Sequence, residues 1–263
     1  MRLPPLLPSA LLLSAVLAAS TPGLAAAPDE AAAATLNPAQ RAEVAAILRQ
    51  ALRTDPTILR DALTALQADD DRRRDTVQAD VLALLAPKLV DPADPVAGNP
   101  QGTVTLVEFY DTRCPYCRRM MAATDELLRT DPGVRIVFKD LPVLGPASKL
   151  ESLALLAAHR QGGYLRMQSA VMRTGAPPTR DTLQAEAVRQ SLDGAALLRD
   201  LDDPALQARL DANVALAQQI GIQGTPAMII GTRLFPGAMD LAELRTAVAG
   251  ARGQQLGKDG QGR

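Results

Sequence analysis

The chain has 263 residues, a formal net charge of −1 and no tryptophan, and aromatic residues make up only 2% of it. A chain so close to neutral gives no electrostatic support for nucleic-acid binding. Because aromatic residues are scarce, the core must consist mainly of leucine, valine, alanine and isoleucine, and we expect a helix-rich protein.

Residues 1–25 have the composition of a secretory signal peptide. Arg2 is the last charge before an apolar segment at residues 11–17, and small residues then lead to Gly-Leu-Ala at 23–25, a sequence typical of signal-peptidase sites. The uncharged stretch is long enough to span a bilayer, but its prolines argue against a permanent anchor. We therefore expect export by a cleaved signal peptide and a periplasmic location.

Residues 26–90 are predicted to form an N-terminal helical extension. Asn37 before a proline is typical of a helix N-cap, and Asp55 before a second proline ends that helix and begins another. Short amphipathic helices cannot bury their apolar stripes alone. We therefore expect residues 37–88 to pack on the next domain or on copies of the chain in a homo-oligomer.

A strand–helix–strand unit is predicted next. Residues 91–102 contain prolines and glycines and are expected to be a linker. The apolar run at 104–110 predicts a buried strand, residues 118–129 predict a helix, and residues 134–138 predict a second strand. This order indicates a βαβ unit with parallel strands and a right-handed crossover.

The remainder of the chain alternates between helices and a short β segment. Residues 147–220 show helical patterns only. A short strand is then predicted at 227–231, with a candidate hairpin partner at 232–235 and a closing helix at 241–249. We expect residues 253–263 to be a disordered tail.

Both cysteines of the chain lie in Cys114-Pro115-Tyr116-Cys117, between the first strand and its helix. Cys114 at the N-cap and Pro115 at the first helical position would direct backbone N–H groups and the helix dipole at the Cys114 sulfur. In sites of this kind the pKa of the cysteine thiol at the helix N-terminus is about 3.5–7. A more stable thiolate favours the reduced pair and so makes the disulfide more oxidising. Cys117, one turn later, should be more buried and should close the disulfide.

Other uses of the two cysteines fit less well. A zinc site needs four ligands, but His159 is the only histidine, and covalent haem needs a histidine where Arg118 stands. A structural disulfide would close too small a loop to remove much chain entropy. A redox-active dithiol is therefore favoured. Copper handling through soft sulfur ligands and a chaperone-like module built on the N-terminal helices stay as alternatives.

The Cys motif after a strand, together with Gly-Thr-Pro before a later strand, resembles the thioredoxin fold. The long separation between Cys117 and Pro226 resembles the DsbA-like family, and the N-terminal extension resembles that of ScsC-type (suppressor of copper sensitivity) proteins. The resemblance implies an α/β thioredoxin fold with an inserted helical domain and an N-terminal helical extension. Its thioredoxin-like domain would comprise residues 91–146 and 221–252, and the insertion residues 147–220.

The resemblance also implies a protein thiol:disulfide oxidoreductase, acting as disulfide oxidase or isomerase. No organic cofactor and no metal are expected, and a membrane redox partner would reset the pair. Cys114 would attack or be attacked, Cys117 would resolve the mixed disulfide, and Pro226 would be a cis proline whose loop lies against Cys114. The implied substrate-binding residues are Thr225, Pro115 and Tyr116.

Glu108 is the remaining candidate site residue. It lies six residues before Cys114 inside an apolar strand, so it should be partly buried and its pKa should be raised. It matches the buried acid that assists proton transfer beneath the cysteine pair in the DsbA-like family. Lys139 on the second strand is a candidate ion-pair partner for Glu108.

Overall fold

The computed structural model describes residues 36–260. The signal peptide predicted at residues 1–25 lies outside the described residues. The chain divides into two compact units, one ending at Gln67 and the other beginning at Ala68. No helix within the described part of the chain combines the length and apolar character that are needed to cross a membrane.

The first helix is α1 (Pro38–Thr54), and its start is fixed by a capping box. The Asn37 side chain accepts a hydrogen bond from the Gln40 backbone N–H, and the Gln40 side chain accepts one from the Asn37 N–H, both at 2.9 Å. No residue of α1 is buried. The predicted N-cap is therefore confirmed, while the apolar residues of this helix contact little.

The second helix, α2 (Thr57–Leu89), is a single element of 33 residues rather than the short helices expected. Its middle carries exposed ion pairs between Asp69 and both Arg72 and Arg73, which support a helix at this spacing. Its only internal proline, Pro87, lies near its end. Nothing in between interrupts the hydrogen-bond ladder, so the helix continues.

Five strands form one sheet in the order β1-β3-β2-β4-β5. Strand β2 (Val104–Tyr110) is parallel to β3 (Val134–Asp140), as predicted, and antiparallel to β4 (Ala227–Ile230). Strand β5 (Arg233–Pro236) forms the predicted hairpin with β4. Strand β1 (Val96–Gly98) lies in the predicted linker and was missed, because only its antiparallel pairing with β3 defines it.

The helices of the second unit cover both faces of this sheet. Helix α3 (Pro115–Thr130) joins β2 to β3. The helices between β3 and β4 are α4 (Pro146–Arg160), α5 (Tyr164–Thr174), α6 (Arg180–Arg189), α7 (Gly194–Asp200) and α8 (Pro204–Ile220). Successive residues of β2 point to opposite faces of the sheet and pack in different hydrophobic clusters. Leu106 packs in the cluster that includes residues of α3 and α4, and Val107 packs in the cluster that includes residues of α8. Burial on both faces explains why the apolar residues of β2 do not alternate with polar ones.

The closing helix, α9 (Leu241–Gly260), extends past the predicted end at residue 249 and into the segment expected to be a tail. Two contacts hold the first residues beyond 249. Ala251 is buried in the main core, and Arg252 forms an ion pair with Asp131 at 2.7 Å. These contacts are long-range, so the local sequence gives no sign of them.

Lys139 does not pair with Glu108, and that expectation is wrong. Its ammonium group lies 2.5 Å from the Asp94 carboxylate and donates to the Lys88 carbonyl oxygen at 2.7 Å. Arg209 of α8 contacts the other oxygen of Asp94 at 2.7 Å. Lys139 and Asp94 are both buried, and a buried charge requires a close partner of this kind. The network ties the segment before β1 to β3 and α8.

Candidate active site

Cys114 is the N-cap residue of α3 and Pro115 occupies the first turn, as predicted, but the Cys114 side chain accepts no capping hydrogen bond from the helix backbone. The Cys114 N–H donates to the Asp111 carbonyl oxygen, and the Arg118 N–H donates to the Cys114 carbonyl oxygen, each at 3.1 Å. Both cysteines are free thiols; Cys114 is 4% exposed and Cys117 is completely buried. The deeper position of Cys117 agrees with the sequence-based expectation.

The loop before β4 brings a distant part of the chain to Cys114. The Thr225–Pro226 peptide bond is cis, as the resemblance implies. The Cys114 thiol donates to the Thr225 carbonyl oxygen at 3.2 Å. This contact exists because β4 lies beside β2, the strand that leads into the Cys motif. A backbone carbonyl next to the thiol is also where an extended peptide could pair with the loop.

Glu108 and Cys117 line the same small cavity, which has a volume of about 100 Å³ and also contacts Asp125. Burial, with a smaller contribution from the Asp125 charge, raises the pKa of Glu108 to about 8. Burial also raises the pKa of the Cys117 thiol, and the nearby Cys114 and Glu108 charges act in the same direction. The Glu108 carboxyl group and the Cys117 thiol therefore share one enclosed space.

The two residues between the cysteines lie at the surface. Pro115 is exposed, and Tyr116 is 55% exposed. The Arg119 guanidinium lies 5.0 Å from the centroid of the Tyr116 ring, within the range of a cation–π contact. Both residues can therefore contact a bound protein.

Sequence reasoning missed the groups that hold the segment before Cys114. Glu151, a buried residue of α4, accepts a hydrogen bond from the Thr112 hydroxyl at 2.6 Å and one from the Arg113 guanidinium at 3.1 Å. Arg113 donates further to the carbonyl oxygens of Ala176 and Gly175. The one available signal is helical spacing, which places Glu151 on the same face as Ala154, Leu155 and Ala158.

A second buried polar cluster was also missed. The hydroxyl groups of Tyr110 and Tyr164 lie 2.7 Å apart, and the Tyr164 hydroxyl donates to the Asp140 carboxylate at 2.9 Å. Burial raises the pKa of Asp140 to about 7, although the tyrosine hydrogen bonds oppose the shift. No sequence pattern indicates this cluster, because the tyrosine partners of Asp140 lie on other elements.

The described residues 36–260 hold no group of three or more histidine, cysteine, aspartate or glutamate side chains that could bind a metal ion.

The thioredoxin family model matches residues 90–249. A thioredoxin-like oxidoreductase from Silicibacter pomeroyi is 40% identical, with a TM-score of 0.59, and the match covers 62% of this chain and 94% of that protein. Proteus mirabilis ScsC is 29% identical, with a TM-score of 0.61, and the match covers 84% and 99%.

The thiol-disulfide exchange protein alpha-DsbA2 from Wolbachia pipientis is 25% identical, with a TM-score of 0.63, over 67% of this chain and 97% of that one. Among curated proteins, a Na⁺/H⁺ antiporter NhaA from Salinispora arenicola is 29% identical over 178 residues, which are 66% of this chain. The chain spans about a quarter of the length of the curated relatives it matches, 27% in this case. The family match covers more than half of the chain, so the protein belongs to the thioredoxin family, and its structural neighbours are thiol-disulfide oxidoreductases of the DsbA and ScsC types.

Proposed function

We propose that this protein is an exported, periplasmic thiol:disulfide oxidoreductase that exchanges disulfides with protein substrates through Cys114 and Cys117. The observation that carries the proposal is the hydrogen bond from the Cys114 thiol to the Thr225 carbonyl oxygen, beside Pro226. It brings the nucleophile at a helix N-terminus next to backbone that can bind an extended peptide. The composition of residues 1–25 supports export.

The chemistry follows from the different surroundings of the two sulfurs. When the pair is oxidised, a substrate thiolate attacks the Cys114 sulfur, the Cys114–Cys117 bond breaks, and a mixed disulfide forms. Cys117 leaves as a thiolate and takes up a proton. A second substrate thiolate then attacks the substrate sulfur of the mixed disulfide and releases the Cys114 thiolate. Two electrons pass from the substrate to the cysteine pair, and a substrate disulfide forms.

Isomerisation uses the reduced pair. The Cys114 thiolate attacks a wrong substrate disulfide, and another substrate thiol displaces it, so no net oxidation occurs. Cys117 attacks Cys114 when the mixed disulfide persists, which releases the substrate in reduced form. A membrane redox partner would return the pair to its working state. The protein would work as an oxidant if the partner keeps the pair as a disulfide, and as an isomerase if the partner keeps it as a dithiol.

Glu108 is proposed to transfer the Cys117 proton. Because burial raises the pKa of the Cys117 thiol, this thiol needs a base before it can attack. Glu108 lines the same cavity, and its pKa of about 8 lies close to neutral pH, which suits a group that both accepts and returns a proton.

Substrate contacts are assigned to Thr225, Pro115 and Tyr116. Leu144, which is 53% exposed, is proposed as a further apolar contact, because its N–H donates to the carboxylate of Asp111, which comes just before the Cys motif. Exposed apolar and aromatic side chains suit unfolded or partly folded clients, which present apolar segments.

Residues 37–88 are proposed to join copies of this chain into a homo-oligomer. On α1 and the first half of α2, eight large apolar side chains are more than two-fifths exposed: Val44, Ile47, Leu48, Leu52, Ile58, Leu59, Leu63 and Leu66. In an oligomer these side chains of one copy would pack against the same side chains of another copy, and the burial of apolar surface would favour association. We also propose that residues 91–146 and 221–252 act as one thioredoxin-like domain and residues 147–220 as its helical insertion.

The test is the reactivation of scrambled ribonuclease by the reduced protein lacking residues 1–25. We expect recovery that Cys114→Ser reduces to background, because this variant lacks the attacking sulfur. Cys117→Ser is the matched control: it keeps the nucleophile and should accumulate a mixed disulfide. If scrambled ribonuclease does not recover but the oxidised protein oxidises reduced ribonuclease, the protein is an oxidant. If neither reaction occurs, the proposal is wrong.

A further inference from the structure

The segment directly before Cys114 is held by side chains and backbone from the helices between β3 and β4. The Glu151 carboxylate, 3% exposed on α4, binds two consecutive residues: one oxygen accepts from the Thr112 hydroxyl at 2.6 Å and the other from the Arg113 guanidinium at 3.1 Å. A single buried carboxylate therefore fixes both residues that precede the nucleophile.

Two guanidinium groups surround this carboxylate. Arg113 donates to the Ala176 carbonyl oxygen at 3.1 Å and to the Gly175 carbonyl oxygen at 3.3 Å, so its head group is fixed on three sides. Arg118 donates to the Thr112 carbonyl oxygen at 3.0 Å. Without Glu151, two positive charges would stand beside the Cys motif with nothing from α4 to offset them.

The two residues that Glu151 holds directly precede the sulfur that changes charge in the reaction. Along a trans chain the Cα atoms of Thr112 and Cys114 are at most about 7.6 Å apart. Because the Glu151 side chain is 4% exposed and that of Arg113 is 22% exposed, salt screens their charges less than it screens charges at the surface. A positive charge stabilises the Cys114 thiolate and hence the reduced pair, and a negative charge opposes it.

We propose that Glu151 is a positioning residue of the redox site, which holds the Thr112–Arg113 segment and offsets the Arg113 charge, and that it thereby sets the equilibrium between dithiol and disulfide of Cys114 and Cys117. The helical region between β3 and β4 then adjusts the oxidising strength of the pair as well as covering it.

Asp111, another buried carboxylate near the Cys motif, has a different role. Its two oxygens accept from the backbone N–H groups of Arg113 and Leu144, at 2.8 and 3.0 Å, so it shapes the loop. Burial raises the pKa of Glu151, and the hydrogen bonds from Thr112 and Arg113 oppose this shift and favour its ionised form. The carboxylate and the Arg113 charge therefore depend on each other.

The inference rests on the proposed thiol–disulfide exchange and is tested on the equilibrium with glutathione. In that reaction two molecules of reduced glutathione convert the Cys114–Cys117 disulfide into the dithiol, and one molecule of oxidised glutathione forms. We expect Glu151→Gln to shift the equilibrium constant at least threefold toward the dithiol, which is about 14 mV at 29.6 mV per tenfold change. Arg113→Gln should shift it in the opposite direction, toward the disulfide.

The opposite signs distinguish an electrostatic role from a structural one, because loosening the loop would affect both variants in the same direction. Glu126→Gln is the matched control: it removes the same charge from another Glu–Arg pair, with Arg129 at 2.6 Å, at the far end of α3. We expect it to leave the equilibrium unchanged. Shifts of the same sign in Glu151→Gln and Arg113→Gln, no shift, or an equal shift in Glu126→Gln would overturn the inference.

Two other results are possible, a variant that does not fold and a wild-type protein that does not react. If Glu151→Gln does not fold, the comparison of Arg113→Gln with Arg113→Lys decides, because the Arg113 side chain is 22% exposed and lysine keeps the charge while losing the forked hydrogen bonds. A threefold shift toward the disulfide in Arg113→Gln that is absent in Arg113→Lys supports the inference, and equal shifts in both variants or an unchanged constant in Arg113→Gln overturn it. If the wild-type protein does not exchange with glutathione, the proposed function itself fails, which separates the two failures.

Discussion

The two ends of helix α2 carry similar apolar residues in opposite surroundings. Near its start Ile58, Leu59 and Leu63 are about half exposed, whereas Leu82 and Leu89 near its end are 3% and 4% exposed. Helical spacing is the same throughout, so the difference comes from what covers each segment. Periodicity shows which side chains seek burial, but the partner that buries them is encoded elsewhere.

The largest expected effect is on assembly. Replacing Leu48 and Leu63 together by glutamate places charges in the proposed contact between copies, where they cannot be solvated, and should convert an oligomer fully into single chains. Sedimentation measures the mass of each form. Gln50→Glu adds a charge to an already polar position and should leave the mass unchanged. A wild-type protein that sediments as a single chain at all micromolar concentrations would contradict the proposed oligomer.

A smaller effect is expected on folding stability. Leu82→Ala removes a side chain that packs with Val107 and Phe109 in one core cluster, and should lower the free energy of unfolding by about 3 kcal/mol. Leu63→Ala, at the exposed end of the same helix, should change it by less than about 0.5 kcal/mol in the single-chain form. Denaturant titration compares them. Equal losses would show that the two ends of α2 do not differ in packing.

The smallest expected effect concerns pH. Since the pKa of Glu108 is raised to about 8 in the folded protein, the folded state holds a proton that the unfolded state has already released. Stability therefore falls as pH rises from about 4.5 to 8. Between pH 5 and 7 the wild type should lose about 2 kcal/mol relative to Glu108→Gln, which has no such proton.

Unfolding of both proteins at several pH values provides the measurement. If the free energy of unfolding changes with pH in the same way in the wild type and in Glu108→Gln, Glu108 is ionised in the folded protein at these pH values. This result would contradict its proposed role in proton transfer.

What the sequence predicted correctly was encoded locally. The capping box at Asn37, the position of Cys114 at a helix start and the parallel pairing of β2 with β3 all follow from residues that are neighbours in the chain or from a repeated pattern. The family resemblance added the cis bond before Pro226, which a Thr-Pro pair alone does not establish.

What the sequence did not predict depends on long-range contacts. Lys139 was assigned to Glu108, because both lie on neighbouring strands, yet it reaches Asp94 in a segment that looked like a linker. Glu151 and Arg113 are 38 residues apart. Each of these charged residues resembles an ordinary surface residue until the fold shows that it is buried beside its partner, so one sequence gives no basis for pairing them.

The position of β4 beside β2 has a consequence for the order in which the active site is made. Cys114 and Cys117 leave the ribosome more than a hundred residues before Thr225, whose carbonyl oxygen the Cys114 thiol contacts. Synthesis runs from the N-terminus, so the nascent chain carries two reactive sulfurs before the loop that partners them exists. Until residues 225 and 226 emerge, the nascent chain carries two thiols without the loop that contacts Cys114. In this respect it resembles the reduced, incompletely folded clients that it is proposed to serve.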